Sequence, residues 1–318
     1  MKILGTGRGL PQKKITNDEL AEFVDTNDEW ITTRTGISSR RVCETEVLSD
    51  LAYKAAVNAL EMAETKAEEL DMVICTTVCG DYLSPSLACV LNKKLGAKCP
   101  SFDVNAACPG FIYGLDVAES YFRSGRVKKV LLVSAEKMSK LVDWNDRSTC
   151  VLFGDGAGAV VLGEGEGLMS IHLTAEGNDE ILNIPTKKGN SPFDKSMDYT
   201  KEQDFMYMNG KEVYKFAVSS VCRDLEKVMV DAGITEEDVS HVLLHQANMR
   251  IIAGAQKRFS IPTEKYLHNI ERTGNTSSAS IPILLDEELR GGRLQRGEIL
   301  LMSAFGGGLT TGACALKL

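Results

Sequence analysis

SGRVKKVLLVSA, Ser124–Ala135, is echoed far downstream by GGRLQRGEILLMSA, Gly291–Ala304. In both, a turn of small and basic residues feeds an aliphatic run, the pattern of a strand buried on both faces. Aligning Arg126 with Arg293 sets an offset of 167 residues, and the segments upstream match as well. An amphipathic helix over 49–68 leads into LDMVICTTV, and a second over 212–232 leads through GITEED into VSHVLLHQA. The chain therefore reads as a duplicated α/β unit, with alternating strands and helices predicting mostly parallel sheets covered by helices. The glycine-rich GEGEG at 163–167 marks the seam, giving an N-terminal half 1–163 and a C-terminal half 164–318.

Composition narrows the function classes. A chain of 318 residues, 43% apolar and 25% charged, can fill a large core. Its net charge of -8 opposes a general nucleic-acid partner, whose phosphates call for concentrated Lys and Arg. No run approaches the roughly 18 apolar residues of a membrane span, and KILGTG after Met1 reads as a strand and not a signal peptide. No membrane association and a cytoplasmic location are expected. Nine cysteines without a CxxC pair fit a reducing compartment, and none has zinc-ligand spacing, so no metal is assigned.

Three glycine-rich stretches need separate readings. GTGRG at 5–9 and FGDGAGAVVL at 153–162, the latter leading into a strand AVVLG, lack the spacing of phosphate loops, and their glycine-rich parts are expected to be tight turns. AFGGGLTTG at 304–312 follows an apolar strand, where it is either a hairpin turn or a set of N–H groups facing an oxyanion. Between Thr186 and Asn209 the sequence has no clear period and many turn residues, which predicts a lid or tunnel wall.

The chemistry concentrates in DVNAACPGF, Asp103–Phe111. An extended segment over 97–104 meets a helical pattern over 112–122, and Pro109 falls at a first helical position. Cys108 is then at or next to the N-cap, where unpaired N–H groups and the helix dipole favour a thiolate. The offset of 167 sets Asn275, in GNTSSAS, opposite Cys108. Of the four histidines only His245 ends a strand-like apolar run, where α/β proteins tend to place their sites. Cys, His and Asn together fit a thiol hydrolase, with His245 activating the thiol and Asn275 orienting the ring. They equally fit a carbon–carbon condensation, with Cys108 carrying an acyl group while His245 and Asn275 donate to a developing enolate. The duplication favours the second.

These motifs, with LLHQANMRII, NDEWITTRTGI and DRSTCVLFGDGAGA, resemble β-ketoacyl-acyl-carrier-protein synthase III from end to end and in the family's order. The resemblance implies the thiolase-like five-layer αβαβα fold of two similar halves, a homodimer, and the condensation that starts type II fatty-acid synthesis. An acyl-CoA primer would acylate Cys108. Malonyl-acyl-carrier protein would then lose CO2 and attack the thioester to give 3-oxoacyl-acyl-carrier protein, CoA being a substrate's leaving group and no cofactor being needed. The backbone N–H groups of Cys108 and Gly307 would form the oxyanion hole.

By the same resemblance Trp30 and Arg147 sandwich the CoA adenine, Arg34 serves the phosphates and Asn248 lies beside the pantetheine arm. Lys211 stands where the family commonly has Asn. Lys215, Arg250, Lys257 and Arg258 match the surface that receives the acidic carrier protein. Ser84 replaces the bulky phenylalanine with which acetyl-selective relatives reach into the partner subunit's acyl pocket, while Met138 and Phe153 line that cavity, so primers longer than acetyl are expected. Elongating synthases carry a second histidine at the position of Asn275, and degradative thiolases a second cysteine in the C-terminal glycine segment, where Cys314 is too far along to match. The alternatives are a relative recruited to specialised acyl transfer or polyketide synthesis and, from another class, the Cys-His-Asn hydrolase.

Overall fold

The computed structural model describes residues 1–186, Phe193 and 204–318. Two five-stranded sheets form its frame. The first holds β1 (Lys2–Gly9), β2 (Met72–Thr76), β3 (Ser101–Val104), β4 (Lys129–Lys137) and β5 (Asp155–Gly163) in the order β3-β2-β4-β5-β1. The second holds β6 (Leu168–Asn178), β7 (His241–Leu244), β8 (Tyr266–Leu267), β9 (Ile299–Gly306) and β10 (Gly308–Lys317) in the order β8-β7-β9-β10-β6. Strand for strand the two orders are the same, and so is every pairing direction: β2 is parallel to β3 and β4, as β7 is to β8 and β9, while β5 and β1, like β10 and β6, run antiparallel to their neighbours. The sheets are thus mixed and not mostly parallel. In the second half the reason is local: β9 returns into β10 across Gly307 alone, too short a connection for anything but an antiparallel pair.

Helices α1 (Leu48–Met62) and α2 (Leu87–Leu95) cover the outer face of the first sheet, and α4 (Gly210–Ala232) and α5 (Met249–Gln256) that of the second. Between the sheets lie α3 (Gly110–Arg123) and α6 (Ser280–Arg290), packed with apolar residues of both sheets into one central core. This arrangement explains the aliphatic runs. Val130 and Leu132 of β4 face the central core while Leu131 and Val133 face the outer layer, so both sides of the strand must be apolar. The buried Asp286 of α6 fixes the middle layer: it accepts from Thr6 and Arg8 of β1, at 2.8 and 2.7 Å, and from Arg290 at 2.8 Å.

Three sequence expectations change. GTGRG is strand and not turn, the strand expected at AVVLG begins earlier, at Asp155, and the glycines of β1 exist for close packing: a Cβ at Gly7 would stand 2.1 Å from the Ala55 carbonyl oxygen of α1. The helix expected over 49–68 stops at Met62, because Glu64 takes a left-handed φ of 47° before a 3-10 turn at Ala67–Glu69. Pro109 is the N-cap of α3 and not its first residue, so Cys108 precedes the cap. Residues 187–192 and 194–203, the middle of the expected lid, lie outside the described residues; the flanking ribbon pairs Leu182–Asn183 with Tyr207–Met208. Among the described residues no helix is long and apolar enough to cross a membrane.

Candidate active site

The ends of β2, β4, β7 and β9 and the start of α3 converge on a cavity of about 1120 Å3. Its lining includes Cys108, His245, Asn275 and Gly307, which come from four separated parts of the sequence.

Cys108 sits on a sharp turn. Ala107 before it has a left-handed φ of 51°, and Gly110 N–H closes the turn on the Ala107 carbonyl at 3.0 Å. The end of β9 presses against this turn, since a Cβ at Gly306 would lie 2.7 Å from Cys108 N and 2.8 Å from Pro109 Cδ. Only glycine allows that approach, which sets the end of β9 against Cys108. The thiol itself is pushed up to about 12, chiefly by burial and further by the charge of Glu136; the Ser277 hydroxyl, 3.6 Å from Sγ, pulls the other way. The expected thiolate is therefore not the resting form, because desolvation outweighs the helix start.

His245 follows β7 and is held by its backbone N–H to the Ser303 carbonyl at 2.8 Å. Burial lowers its pKa to about 3, so the imidazole is neutral. Nδ1 lies 2.7 Å from Ser280 Oγ, which also receives the Gln246 N–H at 3.3 Å. With that N–H filling one acceptor site of Oγ, a Ser280 O–H donated to Nδ1 would leave Nε2 as the protonated nitrogen. The ring edge packs against Phe305 at 5.4 Å.

Asn275 is fixed through its backbone to the loop at 152–154, donating to Leu152 O at 2.9 Å and accepting from Gly154 N at 3.0 Å. Its Oδ1 accepts the Ser277 N–H at 2.8 Å, which leaves the amide NH2 as the remaining donor. In a thiol hydrolase the Asn oxygen would hold the histidine ring. Here Ser280 takes that place at Nδ1, and the Asn275 NH2 is left as a donor.

Met138 and Phe153 are buried and line the cavity, as do Trp30, Arg34 and Asn248. Arg34 lies 4.6 Å and Arg147 5.1 Å from the Trp30 ring centroid, and Arg147 also donates to the Asp25 carbonyl at 2.8 Å. A base sandwiched between Trp30 and Arg147 would need two contact layers, roughly 7 Å in all, more than the 5.1 Å that separates them. Asn248 caps α5, accepting from Arg250 N at 2.9 Å, and donates to the Arg34 carbonyl at 3.1 Å. Ser84 is exposed and does not line the cavity of its own chain, although its neighbours Tyr82 and Leu83 do. Lys211 is exposed in the first turn of α4.

The chain matches the family model for 3-oxoacyl-[acyl-carrier-protein] synthase III over residues 102–177 and the model for its C-terminal part over 229–318. A β-ketoacyl-[acyl-carrier-protein] synthase III from Xylella fastidiosa is 45% identical over 322 residues, covering 99% of this chain and 98% of the relative. This chain belongs to the synthase III family. Among solved structures, the 3-oxoacyl-[acyl-carrier-protein] synthase III of Aquifex aeolicus superposes with a TM-score of 0.92 at 45% identity, covering 100% of this chain and 99% of the other. The synthase III from Thermus thermophilus gives 0.93 at 41%, with 100% and 99% covered. The thiolase-like five-layer fold and the condensing class of enzyme follow from this membership.

Within the synthase III frame, the four basic positions differ. Lys215 pairs with Glu212 at 2.9 Å, Arg258 with Glu226 at 2.6 Å, and Arg250 donates to the Thr33 carbonyl at 3.2 Å. Among the described residues Lys257 alone of the four has no recorded ion pair or side-chain hydrogen bond. Lys257 and Arg258 border a shallow surface groove with Arg223 and Glu226, apart from the cavity that holds Cys108. Sequence reasoning missed Ser277, Ser280 and Glu136. The first two stand in GNTSSAS, read only for Asn275, and a glutamate inside the buried run LLVSAEK was a signal passed over.

Proposed function

We propose that this cavity joins an acyl primer to a malonyl unit on acyl-carrier protein, with Cys108 as nucleophile and His245 and Asn275 as the donors that hold the enolate. The condensation is the family's reaction, and the residue roles are our reading of the geometry. What carries it is the orientation of the two donors: each has its other polar atom engaged, His245 Nδ1 by Ser280 and Asn275 Oδ1 by the Ser277 N–H.

Cys108 Sγ attacks the primer thioester, the backbone N–H groups of Cys108 and Gly307 hold the tetrahedral oxygen, and CoA leaves. The malonyl carboxylate then departs as CO2. Its electron pair becomes an enolate whose oxygen sits between the neutral His245 and the Asn275 amide, and the carbanion attacks the acyl-cysteine. A neutral imidazole suits this role, since it donates without giving up a full proton. The electrons for the new bond come from the lost carboxylate, so the reading calls for no metal or organic cofactor.

Trp30, Arg34 and Arg147 would hold the nucleotide end of CoA, with Asn248 along the pantetheine arm. Lys257, the one of the four without an ion pair or side-chain hydrogen bond among the described residues, would receive the acidic carrier protein, with Arg250, Lys215 and Arg258 as further basic positions. A homodimer is supported by the exposed Tyr82 and Leu83 beside Ser84, an apolar tip suited to burial against a second chain. The division at 163/164 is supported by the confinement of each sheet's strands to one side of it, and a cytoplasmic site of action by the nine free thiols. Recruitment to specialised acyl transfer or polyketide synthesis is not favoured, nor is hydrolysis, whose orienting Asn–His contact is replaced by Ser280.

The test is intact-protein mass spectrometry after mixing with acyl-CoA, followed by malonyl-acyl-carrier protein. Wild type gains one acyl group and then releases CO2 with a new carbon–carbon bond, and Cys108→Ala gains none. An adduct that persists in Cys108→Ala moves the nucleophile elsewhere, and hydrolysis without condensation returns the hydrolase reading.

A further inference from the structure

Beneath the nucleophile lies a carboxyl group that the mechanism above does not use. Glu136, near the end of β4, is fully buried. Oε2 accepts from Thr77 Oγ1 at 3.2 Å, Val78 N at 3.1 Å and Cys79 Sγ at 3.2 Å. Oε1 accepts from Ser278 Oγ at 2.7 Å and Ser277 Oγ at 3.1 Å. Ser277 Oγ is also the group 3.6 Å from Cys108 Sγ, so one hydroxyl spans the carboxyl and the thiol. Ser277 reaches both from a left-handed φ of 52°, an unfavourable setting for a residue with a Cβ that the fold nevertheless maintains.

We infer that Glu136, acting through the Ser277 hydroxyl, is the proton reservoir for Cys108; the inference rests on Cys108 being the nucleophile. In the resting enzyme the thiol S–H points to Ser277 Oγ and the Ser277 O–H to Glu136 Oε1. As Sγ attacks the thioester, its proton passes to Ser277 and the Ser277 proton to Glu136, so the sulfur lone pair forms the new S–C bond while Glu136 becomes a neutral acid. CoA leaves as thiolate and takes a proton from solvent. When the condensed product departs, the C–S bond breaks, its electrons return to Sγ, and the stored proton comes back along the same path.

Two features support the transfer. Loss of the thiol proton to solvent would place two negative charges in one buried site, whereas internal transfer keeps one and only moves it. The network also has a partner arrangement for either form of Glu136. Ser278 Oγ lies 2.7 Å from Oε1 and 3.3 Å from the Thr76 carbonyl, so its hydroxyl donates to the carboxylate, or accepts from the acid and turns to the carbonyl. The other titratable groups facing Glu136 are Cys79 and Cys108, and Lys140, whose Nζ donates to the Cys79 carbonyl at 2.8 Å, adds positive charge on the Cys79 side. Burial raises the Glu136 pKa, which favours its protonated form.

The experiment follows alkylation of Cys108 by iodoacetamide and its acylation by acyl-CoA from pH 5.5 to 9, with peptide mapping to locate the adduct. With a reservoir, exchange between thiol and carboxylate is independent of pH, so the wild-type rate is level near neutrality and falls only on the acid side. Glu136→Gln removes the acceptor and Ser277→Gly the connection, glycine being at ease in the left-handed conformation. In both, the rate near pH 7 drops by about 10²-fold, the scale of a lost general base, and climbs about tenfold per pH unit. Should Glu136→Gln fail to fold, Ser277→Gly decides alone. A level wild-type-like profile in a folded Ser277→Gly overturns the reservoir, while an adduct that survives Cys108→Ala overturns the nucleophile assignment instead.

Discussion

Asn275 allows the donor assignment to be tested by two substitutions that act differently on its two ends. Asn275→Ala removes the NH2 donor and also the acceptor of the Ser277 N–H at 2.8 Å. Loss of one enolate donor should slow condensation by roughly 10²–10³-fold, about 2.7–4 kcal/mol. The unpaired Ser277 N–H is a separate cost to stability of about 1–3 kcal/mol. For a chain of 318 residues, at roughly 2.1 cal/mol/K of unfolding entropy per residue, that lowers Tm by about 1.5–4.5 °C. Asn275→Asp keeps an acceptor for Ser277 but turns the donor into a second oxygen, so it should melt nearer to wild type and condense more slowly than the alanine variant. The assay is CO2 release from malonyl-acyl-carrier protein by enzyme whose cysteine is already acylated, with loading measured apart. Loading should fall no more than a few-fold in either variant. In wild type the same assay should show no acid limb from His245 between pH 5 and 8, because burial disfavours the cation and protonation sets in only as pH falls toward about 3. Loading and condensation falling in parallel, or an aspartate variant as active as wild type, would refute the reasoning.

Ser84→Phe should shift preference toward acetyl-CoA. With each buried CH2 worth roughly 0.8 kcal/mol, excluding two or three methylenes changes relative kcat/KM by about one order of magnitude or more, and an unchanged ranking of acetyl-, butyryl- and isobutyryl-CoA would show that Ser84 does not set the pocket's depth. Lys257→Glu should reduce use of the carrier protein several-fold while leaving acylation by acyl-CoA near wild type, with the wild-type carrier-dependent rate falling as salt rises; an equal effect on both half-reactions would remove Lys257 from the docking surface.

The parts of the site that could be read from the sequence are those tied to breaks in backbone pattern. Cys108 stands where strand gives way to helix, His245 where an apolar run ends, and Asn275 was found from the internal repeat. Each leaves a local signature, because strand ends and helix starts have their own residue preferences. The glycines of β1 were misread because the same residue serves turns and close helix packing, and only the presence of α1 against the strand distinguishes them. Ser277, Ser280 and Glu136 act through side-chain contacts across the fold; Ser277 meets a carboxylate 141 residues away, a distance over which no spacing rule operates. The resemblance paired Trp30 with Arg147 across a base but did not give their direct approach at 5.1 Å, which is again a side-chain contact across the fold.

The matching strand orders of the two sheets bear on how an asymmetric reaction can occupy a symmetric frame. Two separate copies of one half, related by a twofold axis, would present the same group from both helix starts of the middle layer, two cysteines or two asparagines. Joining the copies in one chain lifts that restriction. One helix start can then carry one polar group while the corresponding segment of the other half carries a different one, and Asp286 ties α6 of the second half to β1 of the first. Covalent continuity thus gives this chain a broken symmetry in chemistry within a preserved symmetry of backbone.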